Sequence, residues 1–410
     1  MDIILGAGIV GVSSALHLQA RGRKCVIIDK NGVGNETSHG NAGLIERTDL
    51  LPRTFPRNPI EILQYASNTD PRLHYDFTNM LSLAPWLFSY WKNSNKKNVE
   101  KIAKNISPLF VKCLKEHEIL IAQADAKKLL KYDGWLHLSR NANDLKKAKL
   151  GVKRAKEAGM KAKILNSEQI AKAEPLLNEK FNWGIHWQDS ASIIDPREYV
   201  KKLAQLFISR GGEILQGDAK SLKQTETGWQ VETENRVIFG ENIVLALGPF
   251  SPEIYKPLGY KIPFAVKRGY HQNYDYIDDK RLNIPIIDAD NGFVLAPMQN
   301  GTRLTTAIEF ARLNKKPTPK QLDIVEPIAK SMLEMGNKQL DQPWLGARPC
   351  TADMMPVIGK APNHKGLYFN FAHAHHGLTL GPITGRIIAE IMVGEQTIVD
   401  AKAFSVQRFC

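Results

Sequence analysis

Residues 3 to 11 read Ile3-Ile4-Leu5-Gly6-Ala7-Gly8-Ile9-Val10-Gly11, and residues 25 to 29 read Cys25-Val26-Ile27-Ile28-Asp29. A short apolar run enters a glycine turn, small residues open a helix, and a second apolar run ends in an acid. Together they spell a dinucleotide-binding βαβ unit. Gly6 permits the tight turn and Gly8 lets backbone approach a pyrophosphate. Gly11, with Ser13, Ser14 and Ala15, lets the helix lie close on the sheet. The helix start offers unpaired N–H groups and partial positive charge to phosphate. Asp29 stands 18 residues beyond Gly11, placed to accept a hydrogen bond from a ribose 2′-OH. On its own this unit fits NAD as well as FAD.

A chain of 410 residues exceeds one ordinary domain and predicts two. With 43% hydrophobic and 24% charged residues it can bury a large core as a globular protein. No apolar run is long enough to span a bilayer. Met1-Asp2 leads directly into the first strand, so no signal peptide is expected. Cys25, Cys113, Cys350 and Cys410 lie far apart and form no CxxC pair. That spacing argues against zinc and against a disulfide framework, and for a cytoplasmic setting. The net charge of +13 is spread over segments such as Lys96-Lys97, Lys127-Lys128 and Lys146-Lys147. A solvated surface explains it. Peripheral attraction to the inner face of the cytoplasmic membrane is the alternative. Nucleic acid is not expected, because no basic stripe interleaves with aromatics.

Along the chain, residues 31–41 form a Gly/Asn/Thr/Ser-rich loop, and residues 52–59, with three prolines, form a crossover. Residues 61–130 read mostly helical. Leu83, Trp86, Leu87, Tyr90 and Trp91 recur at helical spacing and predict a core face, with a membrane-surface helix as the alternative. A strand is expected at 134–138 and helices at 146–159 and from Ser167 to before Pro175. Asp195-Pro196 opens a helix with an acid cap and proline at its first position. Strand pieces follow near 213–215, 229–232, 237–238 and 243–247. Further strands are expected at 293–295, 302–310 and 367–371, and helices at 317–336 and from Pro382 to Met392.

Six separated segments resemble one family. They are the glycine turn with Asp29; Glu36-Thr37-Ser38-His39-Gly40-Asn41-Ala42-Gly43; Val244-Leu245-Ala246-Leu247-Gly248; and Lys267-Arg268-Gly269-Tyr270-His271. The last two are Gly346-Ala347-Arg348-Pro349 with Asp353, Pro356, Ile358 and Gly359 after it, and His375-His376-Gly377-Leu378-Thr379 with Gly381, Pro382 and Gly385. The chain resembles the FAD-dependent amine oxidoreductases of the D-amino-acid oxidase class, nearest to bacterial D-amino-acid dehydrogenases. The resemblance runs nearly the full length.

It implies an α/β plus α+β fold: a discontinuous Rossmann-type FAD-binding domain (1–55, 193–256 and 340–410) and an inserted mixed-sheet substrate domain (56–192 and 257–339). It implies oxidative deamination of a D-amino acid, with hydride passing from Cα to flavin N5 and the imine hydrolysing to a 2-oxo acid and ammonia. Glycine, sarcosine or hydroxyproline-type amine oxidation is the alternative, as is a flavin-binding subunit of a larger electron-transfer complex. The electron acceptor is a quinone or oxygen. The resemblance places Gly6, Ala7, Gly8, Ile9, Val10, Gly11, Asp29, Lys30, Ser38, His39, Asn41, Ala42, Gly43 and Leu44 beside FAD. It adds Ala246, Gly248, Arg348, His375, His376, Gly377, Leu378 and Thr379.

In the substrate pocket, Arg348 matches the family arginine that binds the substrate carboxylate, a task suited to a guanidinium fork. His375 matches a histidine near the flavin ring. Tyr270, His271 and His39 each stand between an active-site and a structural role. Packing is the default for the His373 and His376 side chains. No metal is expected at this histidine cluster, because no carboxylate or cysteine stands near it in sequence. Cys350 does not match the family's flavin-linking cysteine, so FAD is expected without a covalent bond. Thr306-Ala307 stands where small Gly-containing pairs are usual, which alters the pocket's shape. No lysine lies on this strand, where some oxygen-using relatives place one.

Overall fold

A computed structural model describes residues 1–142 and 145–409. The fold is mixed α/β. The dinucleotide motif sits in a six-stranded sheet, in the order Glu213–Gln216, Cys25–Asp29, Asp2–Leu5, Asn242–Leu245, Leu367–Phe371, Val357–Lys360. Its first five strands run parallel and the last is antiparallel. Asp2–Leu5 is wholly buried, and Cys25–Asp29 nearly so, as continuous apolar runs must be when helices cover both faces. In such sheets ligands bind beyond the carboxyl ends of the strands, which is where the Gly6–Gly11 turn lies.

Two helices lie side by side over this sheet. Ile9–Gln19 packs on Gly377–Val393. The approach is close: a Cβ on Gly385 would stand 2.7 Å from the Ser13 carbonyl carbon and the Ser14 nitrogen. Ser13 and Ser14 therefore serve helix–helix approach as well as the sheet. The Ser14 hydroxyl also accepts from Asn370 on the adjoining strand at 3.0 Å. Lys96–Gln123 packs on the outside of Gly377–Val393, and Arg386 bridges the two through Glu116 at 2.8 Å.

The second sheet runs Leu73–Tyr75, Ile308–Phe310, Phe264–Tyr274, Gly301–Thr305, Phe293–Met298, Ile286–Asp288, Leu136–Ser139, Trp183–His186, Lys163–Asn166. Trp344–Thr351 pairs along Phe264–Tyr274, with Lys267 opposite Arg348 and His271 opposite Trp344. A small sheet of Leu44–Ile45, Ala191–Ile193 and Leu130–Lys131 lies apart from both.

Most expected elements form within a few residues of their predicted bounds. Asp195 caps the helix Pro196–Ser209 by accepting from the Glu198 N–H at 2.9 Å. Two expectations are corrected. The last helix begins at Gly377, not Pro382; its proline sits inside the second turn, where one lost N–H bond is offset by packing against the glycine-turn helix. Residues 61–130 are mostly helical as expected, around the short strand Leu73–Tyr75, and residues 302–310 form short strands and a turn as expected. In the helix Phe77–Asn93 the core face is Leu83, Trp86 and Tyr90, whereas Trp91 is exposed. Cys25, Cys113 and Cys350 are buried free thiols, and Cys410 and the Lys147 side chain lie outside the described residues.

Candidate active site

The glycine turn is built as its sequence requires. Gly6 has φ +108°, and a Cβ there would stand 2.6 Å from the Ala246 carbonyl oxygen. A Cβ on Gly11 would stand 1.9 Å from the Gly6 carbonyl oxygen. Ser38 reaches the helix start, where its hydroxyl accepts from the Ile9 N–H at 3.1 Å. Val10 and Gly11 keep the unpaired N–H groups of any first helical turn. Asp29 accepts from Ala7 N at 2.7 Å and from Asn31 N and Gly32 N at 2.8 Å, which leaves one lone pair on Oδ2. Lys30 pairs with Asp218 at 3.0 Å on the surface, and Gly248 turns at φ +53° after the Asn242–Leu245 strand.

The loop from Ser38 to Leu44 links this turn to the second sheet. Arg303 is almost fully buried and donates to the His39 and Asn41 carbonyls at 3.0 and 2.7 Å, and to Asn273 Oδ1 at 3.0 Å. Burial lowers its pKa to about 10, so it stays charged at neutral pH. Asn41 Oδ1 accepts from Gly43 N, where φ is +82° and a Cβ would stand 2.3 Å from the Ile193 carbonyl. Ala42 is carried within that turn.

The start of the helix Gly377–Val393 is tied to the same loop. Thr379 Oγ1 donates to the Leu44 carbonyl at 3.2 Å and accepts from Glu46 N at 3.2 Å. Below it, His117 Nε2 lies 3.1 Å from the Thr379 carbonyl and Nδ1 lies 3.0 Å from Tyr199 Oη. Burial lowers His117 to about 4, so the ring is neutral. The carbonyl can only accept, which assigns the proton to Nε2. Sequence reading missed His117 and Tyr199, because they sit on helices remote from every motif. A Cβ on Gly377 would meet no atom within 4 Å, so space is open beside this helix start.

Arg348 lies on one face of the second sheet. Gly269 makes the space: a Cβ there would stand 2.7 Å from both Arg348 Nη atoms. The guanidinium donates to the Ala307 carbonyl at 2.6 Å, the Thr306 carbonyl at 3.1 Å and the Arg268 carbonyl at 3.4 Å. The unusual Thr306-Ala307 pair thus anchors the arginine through main-chain oxygens. Among the described residues no carboxylate lies within ion-pair distance of Arg348, and two of its five N–H groups remain for a ligand. Burial lowers its pKa from the usual arginine value.

His271 shares this face. Its ring stacks on Trp344 at 5.0 Å, and His39 meets both rings edge-on at 5.9 and 5.6 Å. Burial lowers His39 to about 4 and His271 further, so both are neutral. Tyr270 alternates to the opposite face. Its hydroxyl joins buried Arg268, Glu309 and the Thr318 N–H, all at 2.8–2.9 Å. The structure does not bring Tyr270 together with Arg348. Arg268 pairs with Glu309 at 2.8 Å and serves the fold.

The histidines before Gly377 meet two acids that sequence reading did not connect to them. His376 Nε2 lies 3.0 Å from Asp49 Oδ2 and 3.7 Å from Glu46 Oε2, and His375 Nε2 lies 3.5 Å from Asp49 Oδ2. The expectation of no nearby carboxylate is corrected: the four ligand-type atoms lie within 4.8 Å of one another. His376 is therefore more than packing, whereas His373 is buried against Thr384 Oγ1 at 2.9 Å. Burial opposes ionisation of Asp49, yet Arg53 and the hydrogen bond from His376, with His375 close by, hold it well below the usual carboxylate range. Burial, with repulsion from Asp49, raises Glu46. Burial lowers His375 and keeps it neutral. Glu46 and Arg348 feel one another's charge across this space.

This donor set fits FAD. One helix start and an acid with an open lone pair suit an adenosine diphosphate, with glycine at each close approach. The second helix start, with room above Gly377, suits an isoalloxazine edge. Burial keeps the Cys350 thiol protonated, which suits FAD held without a covalent link. Residues 3–391 match the family model described as FAD dependent oxidoreductase. A D-amino-acid oxidase of Bradyrhizobium diazoefficiens is 26% identical over 99% of this chain and 98% of its own. The structure superposes on glycine oxidase from Geobacillus kaustophilus with TM-score 0.77 at 17% identity, covering 99% and 98% of the two chains. It superposes on L-amino acid deaminase from Proteus vulgaris with TM-score 0.74 at 18% identity, covering 100% and 93%. The glycine turn, the loop beside it and the C-terminal helix start all lie within the matched span, and the chain belongs to the DAO family of FAD dependent oxidoreductases.

Proposed function

We propose that this chain oxidatively deaminates D-amino acids. The observation that carries the reading is Arg348: a guanidinium held by three main-chain carbonyls, clear of any carboxylate among the described residues, with N–H groups left for one. The curated relative's activity supports the D-configuration. Residues 1–55, 193–256 and 352–410 would hold FAD, and 56–192 with 257–351 would shape the substrate side, because Trp344–Thr351 pairs into the second sheet rather than the first.

The glycine turn and Asp29 hold the adenosine end. Ser38 to Leu44, Ala246, Gly248 and the N–H groups at Gly377, Leu378 and Thr379 hold the flavin end, where negative charge develops on reduction. Bound FAD supplies the acceptor for the substrate's Cα hydride, and water then hydrolyses the imine to a 2-oxo acid and ammonia. Arg348 fixes the substrate carboxylate. Asp49 is occupied by Arg53, His375 and His376, so Glu46 is the anion left for the ammonium group. Glu46 accepts one ammonium proton and leaves the neutral amine that hydride loss requires. His39, His271 and Trp344 wall the pocket. A quinone or oxygen would take the electrons from the bound cofactor.

Arg348→Ala tests this. The variant should retain the yellow FAD spectrum and raise KM for its D-amino acid by roughly 30-fold to 1000-fold, for a lost charge-assisted bidentate contact worth about 2–4 kcal/mol. An unchanged KM would remove Arg348 from the carboxylate role.

A further inference from the structure

The helix Phe77–Asn93 has two apolar stripes, and only one is covered. Leu83, Trp86 and Tyr90 pack inward, where Trp86 and Tyr90 hold the buried Lys267 ammonium at 5.5 and 4.4 Å from their ring centroids. On the opposite side Phe77, Leu81, Ala84, Phe88 and Trp91 follow one another at spacings of three and four, the repeat of a helix face. They face solvent: Phe77 is 68% exposed, Leu81 90% and Phe88 65%. No acid lies on this helix.

The short helix Pro59–Ala66 extends the same surface. It buries none of its residues, and Ile60 and Leu63 are 67% and 70% exposed. The segments that flank the two helices tie them together end to end. Arg57 donates to the Ser94 and Trp91 carbonyls at 3.0 and 2.8 Å, and Tyr75 Oη donates to the Ala66 carbonyl at 2.7 Å. The two neighbouring helices thus expose more large apolar side chains than a soluble surface shows without a use. Its rim is basic. Arg53, Arg57, Lys92, Lys96 and Lys97 are exposed along one side, and Arg57 lies 4.8 Å over the Trp91 ring. Glu61 is the acid within the short helix.

No helix among the described residues is long and apolar enough to cross a membrane. We propose that this patch is a membrane-docking surface: Phe77, Leu81, Phe88, Trp91, Ile60 and Leu63 enter the outer hydrocarbon of an anionic phospholipid bilayer while the Arg/Lys rim meets its headgroups. Charge complementarity selects lipid over a second copy of the chain. A self-interface would set the like-charged rims together, whereas anionic headgroups neutralise them. Tryptophan and arginine at the boundary match the preference of amphipathic side chains for a membrane interface. This surface goes beyond the deamination reading, and its failure leaves that reading standing.

The test is co-sedimentation of FAD-loaded protein with vesicles of phosphatidylcholine mixed with phosphatidylglycerol, against pure phosphatidylcholine. The wild-type protein should pellet with the anionic vesicles, release as NaCl rises, and shift Trp91 emission to the blue. Leu81→Glu/Phe88→Glu should weaken binding by at least about tenfold. Both sites are exposed, so its flavin spectrum and melting temperature should stay unchanged. Lys92→Glu/Lys96→Glu, a second and milder variant, should lower affinity for anionic vesicles alone. Wild-type protein that stays in the supernatant, or binding that neither variant weakens, overturns the proposal. So does a concentration-dependent dimer that Leu81→Glu/Phe88→Glu dissociates without any vesicle binding.

Discussion

Adding one methyl group at Gly269 probes the carboxylate site without touching its charge. Gly269 sits in extended strand, outside the left-handed region, so alanine costs no backbone strain there. Its Cβ would stand 2.7 Å from Arg348 Nη1 and Nη2 and 2.9 Å from Cζ. A carbon needs about 3.5 Å from its neighbours, so the guanidinium must retreat by about 0.8 Å or turn off its carbonyl anchors. Displacements near 1 Å in a positioned group cost up to about 100-fold in rate, or roughly 3 kcal/mol. Gly269→Ala should therefore lower kcat/KM about 10-fold to 100-fold, mainly through KM, with the FAD spectrum unchanged and the melting temperature lowered by a few degrees. Steady-state kinetics on the best D-amino acid reads the effect. The loss should vanish in the Arg348→Ala background, because the methyl then has nothing to displace. If the two substitutions multiply instead, Gly269 acts on something other than Arg348, and the placement of the carboxylate there is wrong.

The pH dependence of stability follows from buried neutral histidines. Burial lowers His17 to about 3, His117 to about 4 and His373 to about 3, whereas each titrates near 6.5 when unfolded. The unfolded chain binds the extra protons, so this stability is complete above about pH 6.5 and falls as pH drops towards 4, by about 2 kcal/mol per histidine at pH 5. Thermal melts from pH 8 to 5 should show a falling midpoint, and His117→Gln should flatten the slope; a midpoint flat across that range would contradict the burial reading. Glu46→Gln should slow single-turnover flavin reduction by about 100-fold and abolish the limb that rises with pH as Glu46 ionises. A full-rate variant with the wild-type profile would rule Glu46 out as the proton acceptor.

Much of the fold was legible because its decisive signals are local. The strand, glycines, helix and acid from Ile3 to Asp29 lie within one supersecondary unit, and the acid-proline start at Asp195 is set by its own four residues. Its motif singles Arg348 out as a candidate, but the residues that support it are not legible there: Gly269, Thr306 and Ala307 reach it only through the fold. The Glu46–Asp49–His375–His376 cluster was missed because Asp49 and His376 stand 327 residues apart. Glu46 directly after the apolar pair Leu44-Ile45, and Asp49 three residues on, at the end of a loop assigned to the flavin, were the available signal. The start of the last helix was misplaced because proline marks a helix start locally. Here packing of Gly381 and Gly385 on the first helix carries the helix through it. The exposed stripe on Phe77–Asn93 was hidden by the same periodicity that revealed its buried one.

Anaerobic titration of the purified yellow protein with single amino acids decides whether the pocket does what Arg348 and Glu46 imply. D-amino acids should bleach the flavin absorbance stoichiometrically and release one 2-oxo acid and one ammonia per flavin, faster than glycine, sarcosine, hydroxyproline or the L-enantiomers. A flavin that stays oxidised with every D-amino acid, or is reduced faster by the L-enantiomers, would contradict the account.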